Sequence, residues 1–239
     1  MIRAILFDLD NTLVDFLRMK NAGVDAAIVA MRDAGLSLDE EVLRRRIFAI
    51  YREYGIEYQE VFDRLLEGFP TPSPRLLAAA ISGYQRAWHN HLEPYPGVRV
   101  TLAGLLKRGV LLGVVSDAPR KQAWLRLVEA GIEVFFDTVV AFEDTGKQKP
   151  HAAPFQLAMT RLGVGSGETL MVGDWPERDV HGAQALGVKT VFARYGDVHE
   201  VVEAGADFEI DQPEQLLAIV DQLGTPYREI LPPKQEILL

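Results

Sequence analysis

Short apolar runs that alternate with helical segments constrain this chain more than any other feature. The runs are "IRAILF" (2–7), "VLLGVV" (110–115), "TVVAF" (138–142), "TLMVG" (169–173), "KTVFA" (189–193) and, more weakly, "DFEI" (207–210). Each is nearly continuous in apolar character, as expected of parallel strands covered on both faces. The helical patterns between them carry clear punctuation. Pro119 opens "RKQAWLRLVEA" and Gly131 closes it. Pro154 lies in the first turn of "AAPFQLAMTRL", and Gly163 follows its end. Pro176 opens "ERDVHGAQAL" and Gly187 closes that segment. Strand–helix alternation of this kind predicts an α/β fold, a doubly wound parallel sheet of Rossmann-like type.

The rhythm breaks between residues 16 and 92. That stretch has no strand-like run and reads as four helices: "NAGVDAAIVAMRDAG", "LDEEVLRRRIFAIYREYG", "EYQEVFDRLLEG" and, after the proline-rich "FPTPSP", "RLLAAAISGYQRAWHNHL". "EPYPGV" marks the return. The expected organisation is a catalytic core from residues 1–15 and 93–239, with a helical cap over 16–92 that moves as a lid. The 239 residues suffice for a core plus a smaller insert. The ending "GTPYREILPPKQEILL" is interrupted by proline and either packs as an arm or stays loose.

Composition narrows the function classes. Hydrophobic residues make up 48% and charged residues 25%, the balance of an ordinary soluble globular chain. No apolar run approaches the ~20 residues of a membrane span, and "MIRAILFDLD" lacks the layout of a signal peptide. With no cysteine, disulfides, thiolate chemistry and sulfur-bound zinc are excluded. A cytoplasmic location is therefore expected, with no membrane partner. The net charge of −9 argues against a nucleic-acid partner, which usually meets a basic field. It leaves an anionic small-molecule substrate open. Scarce asparagine and absent cysteine suit a thermophile, or equally a biased genome composition.

Several of the apolar runs end in groups that carry chemistry. The first ends in Asp8 and Asp10. Residues two apart on a strand face the same way, and the carboxyl edge of an open α/β sheet is where ligands bind. Two adjacent carboxylates repel unless a cation joins them. Thr12 adds a hydroxyl. The plain alternative is a polar turn capping the next helix. A calcium loop is excluded, because its sixth and twelfth positions need Gly and Glu and here hold Leu13 and Met19. The second run ends at Ser116, just before a helix start that suits a phosphoryl oxygen; a simple cap by Ser116 or Asp117 is the alternative. "GKQKPHAAP" offers Lys147 and Lys149. In "LMVGDWPERDV", Asp174 follows another strand, and Asp179 lies about one turn on. Their plain alternative is an acid at a helix N-terminus. Taken together, clustered acids and a lysine at one sheet edge describe a Mg²⁺-dependent phosphoryl site.

As a set, "FDLDNT", Ser116, Lys149 before Pro150, and "GDWPERD" resemble the four ordered motifs of the haloacid dehalogenase superfamily. The resemblance spans essentially the whole chain and is nearest to the cap-bearing phosphatases of small phosphomonoesters. It implies that Asp8 attacks phosphorus to form an aspartyl-phosphate and also binds Mg²⁺. Asp10 would protonate the leaving oxygen, then deprotonate the hydrolytic water; its backbone carbonyl and Asp174 would be further metal ligands. Asp179 would orient metal-bound waters or Lys149. Thr12, Ser116 and Lys149 would hold the phosphoryl oxygens. Trp175 departs from the small polar residue usual after the fourth-motif aspartate; it narrows the site, stacks on a substrate or packs.

Asp10 argues against a dehalogenase of the same superfamily, which lacks that acid. A phosphomutase and a non-catalytic phospho-accepting module remain alternatives. The small phosphorylated substrate and the oligomeric state stay open. Cap residues Arg18, Lys20, Tyr51, Tyr54 and Tyr58 are candidate specificity contacts, although such residues at helical spacing are most often core or solvated surface. Of the two lysines, Lys149 is expected at the site. Pro150 restricts its backbone, whereas Lys147 follows the flexible Gly146.

Overall fold

The computed structural model describes residues 1–69 and 73–225. The proline-rich break falls partly outside those residues, and so does the stretch 224–239 for which a C-terminal arm is expected, of which only Gly224 and Thr225 are described. The chain divides into two compact units, residues 1–13 with 94–239, and residues 14–93.

The first unit holds a six-stranded parallel sheet among its described residues: β1 (Ala4–Phe7), β2 (Leu111–Val115), β3 (Thr138–Val140), β4 (Thr169–Gly173), β5 (Lys189–Ala193) and β6 (Phe208–Ile210). Their order is β3-β2-β1-β4-β5-β6. The first strand is thus central, with Phe7 level with Val114 on one side and Val172 on the other. Helices flank the sheet, giving the expected α/β class.

Four helices form the second unit: α1 (Phe16–Asp33), α2 (Glu40–Tyr54), α3 (Val61–Glu67) and α4 (Pro74–His91). Helix α1 begins five residues before the quoted "NAGVDAAIVAMRDAG", because the Asp15 carboxylate accepts the backbone N–H of Arg18 and caps it there. Asp39 caps α2 through Glu41 and Val42 N–H. Helix α2 buries Leu43, Ile47 and Tyr51, one apolar stripe at i, i+4, i+8. These join Val24, Ile28, Met31, Phe62, Leu65 and Ala80 in a core belonging to this unit. Gly83 lets α4 approach α1 closely; a Cβ there would lie 2.6 Å from the Ala26 carbonyl oxygen. None of the described helices is long and apolar enough to cross a membrane.

The remaining helices belong to the sheet unit: α5 (Val98–Lys107), α6 (Arg120–Glu129), α7 (Phe142–Thr145), α8 (Ala152–Leu162), α9 (His181–Gln184) and α10 (Gln215–Leu223). Helix α8 packs Phe155, Ala158, Met159 and Leu162 against Ala4, Leu6, Val115, Val140 and Met171 of the strands. The segment after Pro176 departs from the expected uninterrupted helix. It is a π-turn over Pro176–Val180, followed by the short α9. The His181 N–H reaches back five residues to the Pro176 carbonyl. A widened turn of this kind re-aims the side chains it carries, and here it carries Asp179.

Candidate active site

Three adjacent strands deliver the site. Asp8, Ser116 and Asp174 directly follow β1, β2 and β4, neighbours in the order β2-β1-β4. The ladder continues past the strand ends, with Asp8 N–H donating to Val172 O at 2.9 Å and Ser116 N–H to Val140 O at 2.9 Å. The acids therefore stand at the carboxyl edge of the sheet.

Lys149 is buried there, while Lys147 is exposed. The Lys149 ammonium donates to Asp179 Oδ1 at 2.7 Å and to Asp8 Oδ1. Burial pulls the ammonium towards losing its proton, but Asp179, Asp8 and Asp117 outweigh that and raise its pKa above the ordinary lysine value. Asp179 is held at both ends, since its Oδ2 accepts the Trp175 N–H at 3.1 Å. Gly173 makes room for it: a Cβ there would fall 2.3 Å from the Asp179 carboxyl carbon.

Asp8, Asp174 and Asp179 each bring one carboxylate oxygen to within 4.8 Å of the others. Burial raises the pKa of Asp174 well above the usual carboxylate range, and the nearby Asp8 and Asp179 charges raise it further. Burial also raises Asp179, against the opposing pull of Lys149. Crowded, dehydrated carboxylates of this sort suit a hard divalent cation, which takes oxygen donors and removes their repulsion. The donor set fits Mg²⁺.

The hydroxyls are placed more modestly. Thr12 is fully buried, and its Oγ1 donates to Asp174 Oδ1 at 3.0 Å. Ser116 Oγ accepts the Ala118 N–H at 3.2 Å, a local turn contact ahead of α6 and not a cap, since Pro119 precedes α6 with no side-chain cap on the helix. Trp175 stacks within the protein: the Arg178 guanidinium lies 3.9 Å from its ring centroid and the His199 ring 4.3 Å away. Arg178 also donates to Asp117 Oδ2 at 3.1 Å, and Asp117 Oδ1 accepts the Lys149 backbone N–H at 2.8 Å. Asp117, for which a helix cap is the plain expectation, does not cap α6 but braces the backbone of the lysine.

Among the cap candidates, Arg18 is exposed, while Lys20 and Tyr51 lie inside the helical unit. The Lys20 ammonium stands 4.1 Å from the Tyr51 ring centroid. Tyr54 and Tyr58 stack on each other at 4.8 Å.

Two contributors carry no motif. Tyr195 donates its hydroxyl to the Thr12 carbonyl at 2.9 Å. Gly196 lies against the turn after Asp10, where Asn11 adopts φ +59°. A Cβ on Gly196 would fall 1.5 Å from the Asn11 carbonyl oxygen and 3.4 Å from Asp174 Cβ. Gly196→Ala must therefore displace the turn. Misplacing catalytic groups by an ångström is worth ~10²-fold in rate, so a kcat loss of that order is expected. A variant within threefold of wild type would show that the turn adjusts without consequence.

Residues 5–193 match the family model described as haloacid dehalogenase-like hydrolase. The chain is 38% identical over 231 residues to a glyceraldehyde 3-phosphate phosphatase of Methanopyrus kandleri, covering 94% of this chain and 99% of that one. It is 32% identical to the protein of the same name from Pyrococcus abyssi, covering 97% and 99%. The solved structure of a HAD phosphatase from Thermococcus onnurineus superposes with a TM-score of 0.70 at 27% identity, covering 91% and 97%.

Proposed function

Because the chain belongs to the haloacid dehalogenase-like hydrolases, we propose that it is a Mg²⁺-dependent phosphatase of a small phosphorylated sugar, with glyceraldehyde 3-phosphate the first substrate to test. The observation that carries this reading is the buried Lys149 bridging Asp8 and Asp179, with Asp174 alongside. The substrate class rests on relatives named for glyceraldehyde 3-phosphate and, in Halopiger xanaduensis, for ribulose 1,5-bisphosphate.

In this reading an Asp8 oxygen attacks phosphorus, and the bond from phosphorus to the ester oxygen breaks. Asp10 gives its proton to that oxygen, so the sugar leaves as a neutral alcohol. Asp10 then takes a proton from water as the water oxygen attacks the aspartyl-phosphate, releasing inorganic phosphate and restoring Asp8. Lys149 neutralises charge at Asp8 and on the transferring group. Ser116 presents its hydroxyl to a phosphoryl oxygen, and Thr12 orients Asp174. The Asp8 and Asp174 carboxylates and the Asp10 carbonyl would hold Mg²⁺, with Asp179 behind them. Bound there, Mg²⁺ supplies positive charge to the phosphoryl oxygens. Residues 14–93 would serve as the cap that selects the leaving group and excludes water on closure.

The test is turnover of glyceraldehyde 3-phosphate, other sugar phosphates, phosphorylated short acids, nucleotides and p-nitrophenyl phosphate after metal removal. Activity should fall at least ~100-fold with chelator and return with Mg²⁺. Equal turnover in chelator would sink the metal assignment, and no phosphate release from any ester would sink the reading itself.

A further inference from the structure

Asp8 is not the only catalytic carboxylate with a buried cation of its own. Arg126, on α6, is out of solvent and is the largest fully buried side chain among the described residues. Its Nη1 donates to Asp10 Oδ2 at 2.5 Å, with the two side chains 1% and 22% exposed. Its neighbours along the helix in the buried stripe are Ala123, Leu127 and Ala130. Packing alone would call for an apolar residue there. A guanidinium taken out of water is strongly unfavourable unless it is paired, so its position has to be explained by what it holds.

The backbone shows what Arg126 adds. The strand ladder orients Asp8, the residue directly after β1. Asp10 lies beyond the end of that strand, immediately before a turn that passes through Asn11 at φ +59°. Its side chain therefore needs a mount other than the pleat of the strand. Arg126 is such a mount: a planar guanidinium, pre-organised and always charged, that reaches Asp10 through Nη1 from a helix whose apolar face is fixed in the core.

The geometry points to Arg126 as a positioning residue for proton transfer. By binding Oδ2 of Asp10, it commits Oδ1 to giving a proton to the leaving oxygen and taking one from the hydrolytic water. The two carboxylates are thereby divided by their cations, Lys149 serving the nucleophile and Arg126 the acid–base. This inference rests on the phosphatase reading above, which wild-type turnover tests separately.

The experiment compares kcat/KM for two leaving groups in wild type, Arg126→Met and Arg126→Lys. One substrate is glyceraldehyde 3-phosphate, or whichever alkyl phosphate the wild type turns over best. Its leaving group is an alkoxide and needs a proton. The other is p-nitrophenyl phosphate, whose nitrophenolate leaves without one. Because kcat/KM reports steps only through leaving-group departure, the hydrolytic half-reaction does not mask the comparison. General acid catalysis is worth ~10²–10⁴-fold. Arg126→Met should lose ~100-fold on the alkyl ester and less than ~5-fold on the nitrophenyl ester. Arg126→Lys, which keeps a positive charge but not the planar guanidinium that fixes the direction of the donor, should lose ~10-fold, again on the alkyl ester alone. A structural role would depress both substrates equally. Equal losses, or no loss with either substrate, would overturn the proposal. Should Arg126→Met fail to fold, the lysine variant carries the same comparison.

Discussion

Asp8→Asn is expected to reduce turnover by ~10⁴-fold or more, in the range seen when a covalent nucleophile is removed, and to leave the fold standing. The amide has nearly the shape of the carboxylate. Its oxygen can still accept from the Lys149 ammonium, as Asp8 Oδ1 does. Its nitrogen neither attacks phosphorus nor binds a hard cation. The backbone is held independently of the side chain, through Asp8 N–H to Val172 O at 2.9 Å. Three carboxylates crowd this edge, so removing one negative charge relieves repulsion, and the thermal midpoint should stay level or rise. The measurements are kcat with p-nitrophenyl phosphate at saturating Mg²⁺ and a thermal melt of the same preparation. Activity within tenfold of wild type would remove Asp8 from the nucleophile's role. Lost activity together with a collapsed melt would show a structural role instead.

The sheet was largely legible because a parallel strand covered on both faces must be apolar along its whole length. Val114, Val115 and Leu170–Val172 are buried without alternation. Spatial order was not legible. Nothing local in "AILF" says that it lies between β2 and β4; that neighbour relation is set across more than 100 residues of chain. Yet it is this relation that brings Asp8 and Asp174 together.

Some features do carry a local signal in the sequence. Asp15 was readable as the cap that starts α1 at Phe16. Arg126 sat as a charge in an otherwise apolar stripe, a pattern that asks for a buried partner. Other features had no local signal. The direction of the Thr12 hydroxyl depends on Asp174, 162 residues away. The need for glycine at 196 depends on the Asn11 carbonyl. The π-turn at Pro176–Val180 reflects where the Asp179 carboxylate sits, between the Lys149 ammonium and the Trp175 N–H, rather than any propensity of "PERDV".

Lys149→Ala and Lys147→Ala should differ by orders of magnitude, although the two residues are separated by one position. Lys149 is buried and bonded to two carboxylates, and its backbone N–H is fastened to Asp117. Lys147 is exposed, and its charge is screened by solvent. Without Lys149, Asp8, Asp174 and Asp179 have no ammonium among them, and the transferring phosphoryl group loses a preorganised positive charge. Donors of that kind are worth ~10²–10³-fold in kcat. Saturating Mg²⁺ keeps the acids partnered during the assay, which separates loss of chemistry from loss of the metal. Removing the cation that offsets three crowded acids leaves their charges uncompensated, which costs ~3–5 kcal/mol, so the melting temperature of Lys149→Ala should fall while that of Lys147→Ala stays near wild type. The deciding quantity is kcat of the folded fraction of each variant. A larger loss for Lys147→Ala would mean that the wrong lysine has been placed at the phosphoryl group.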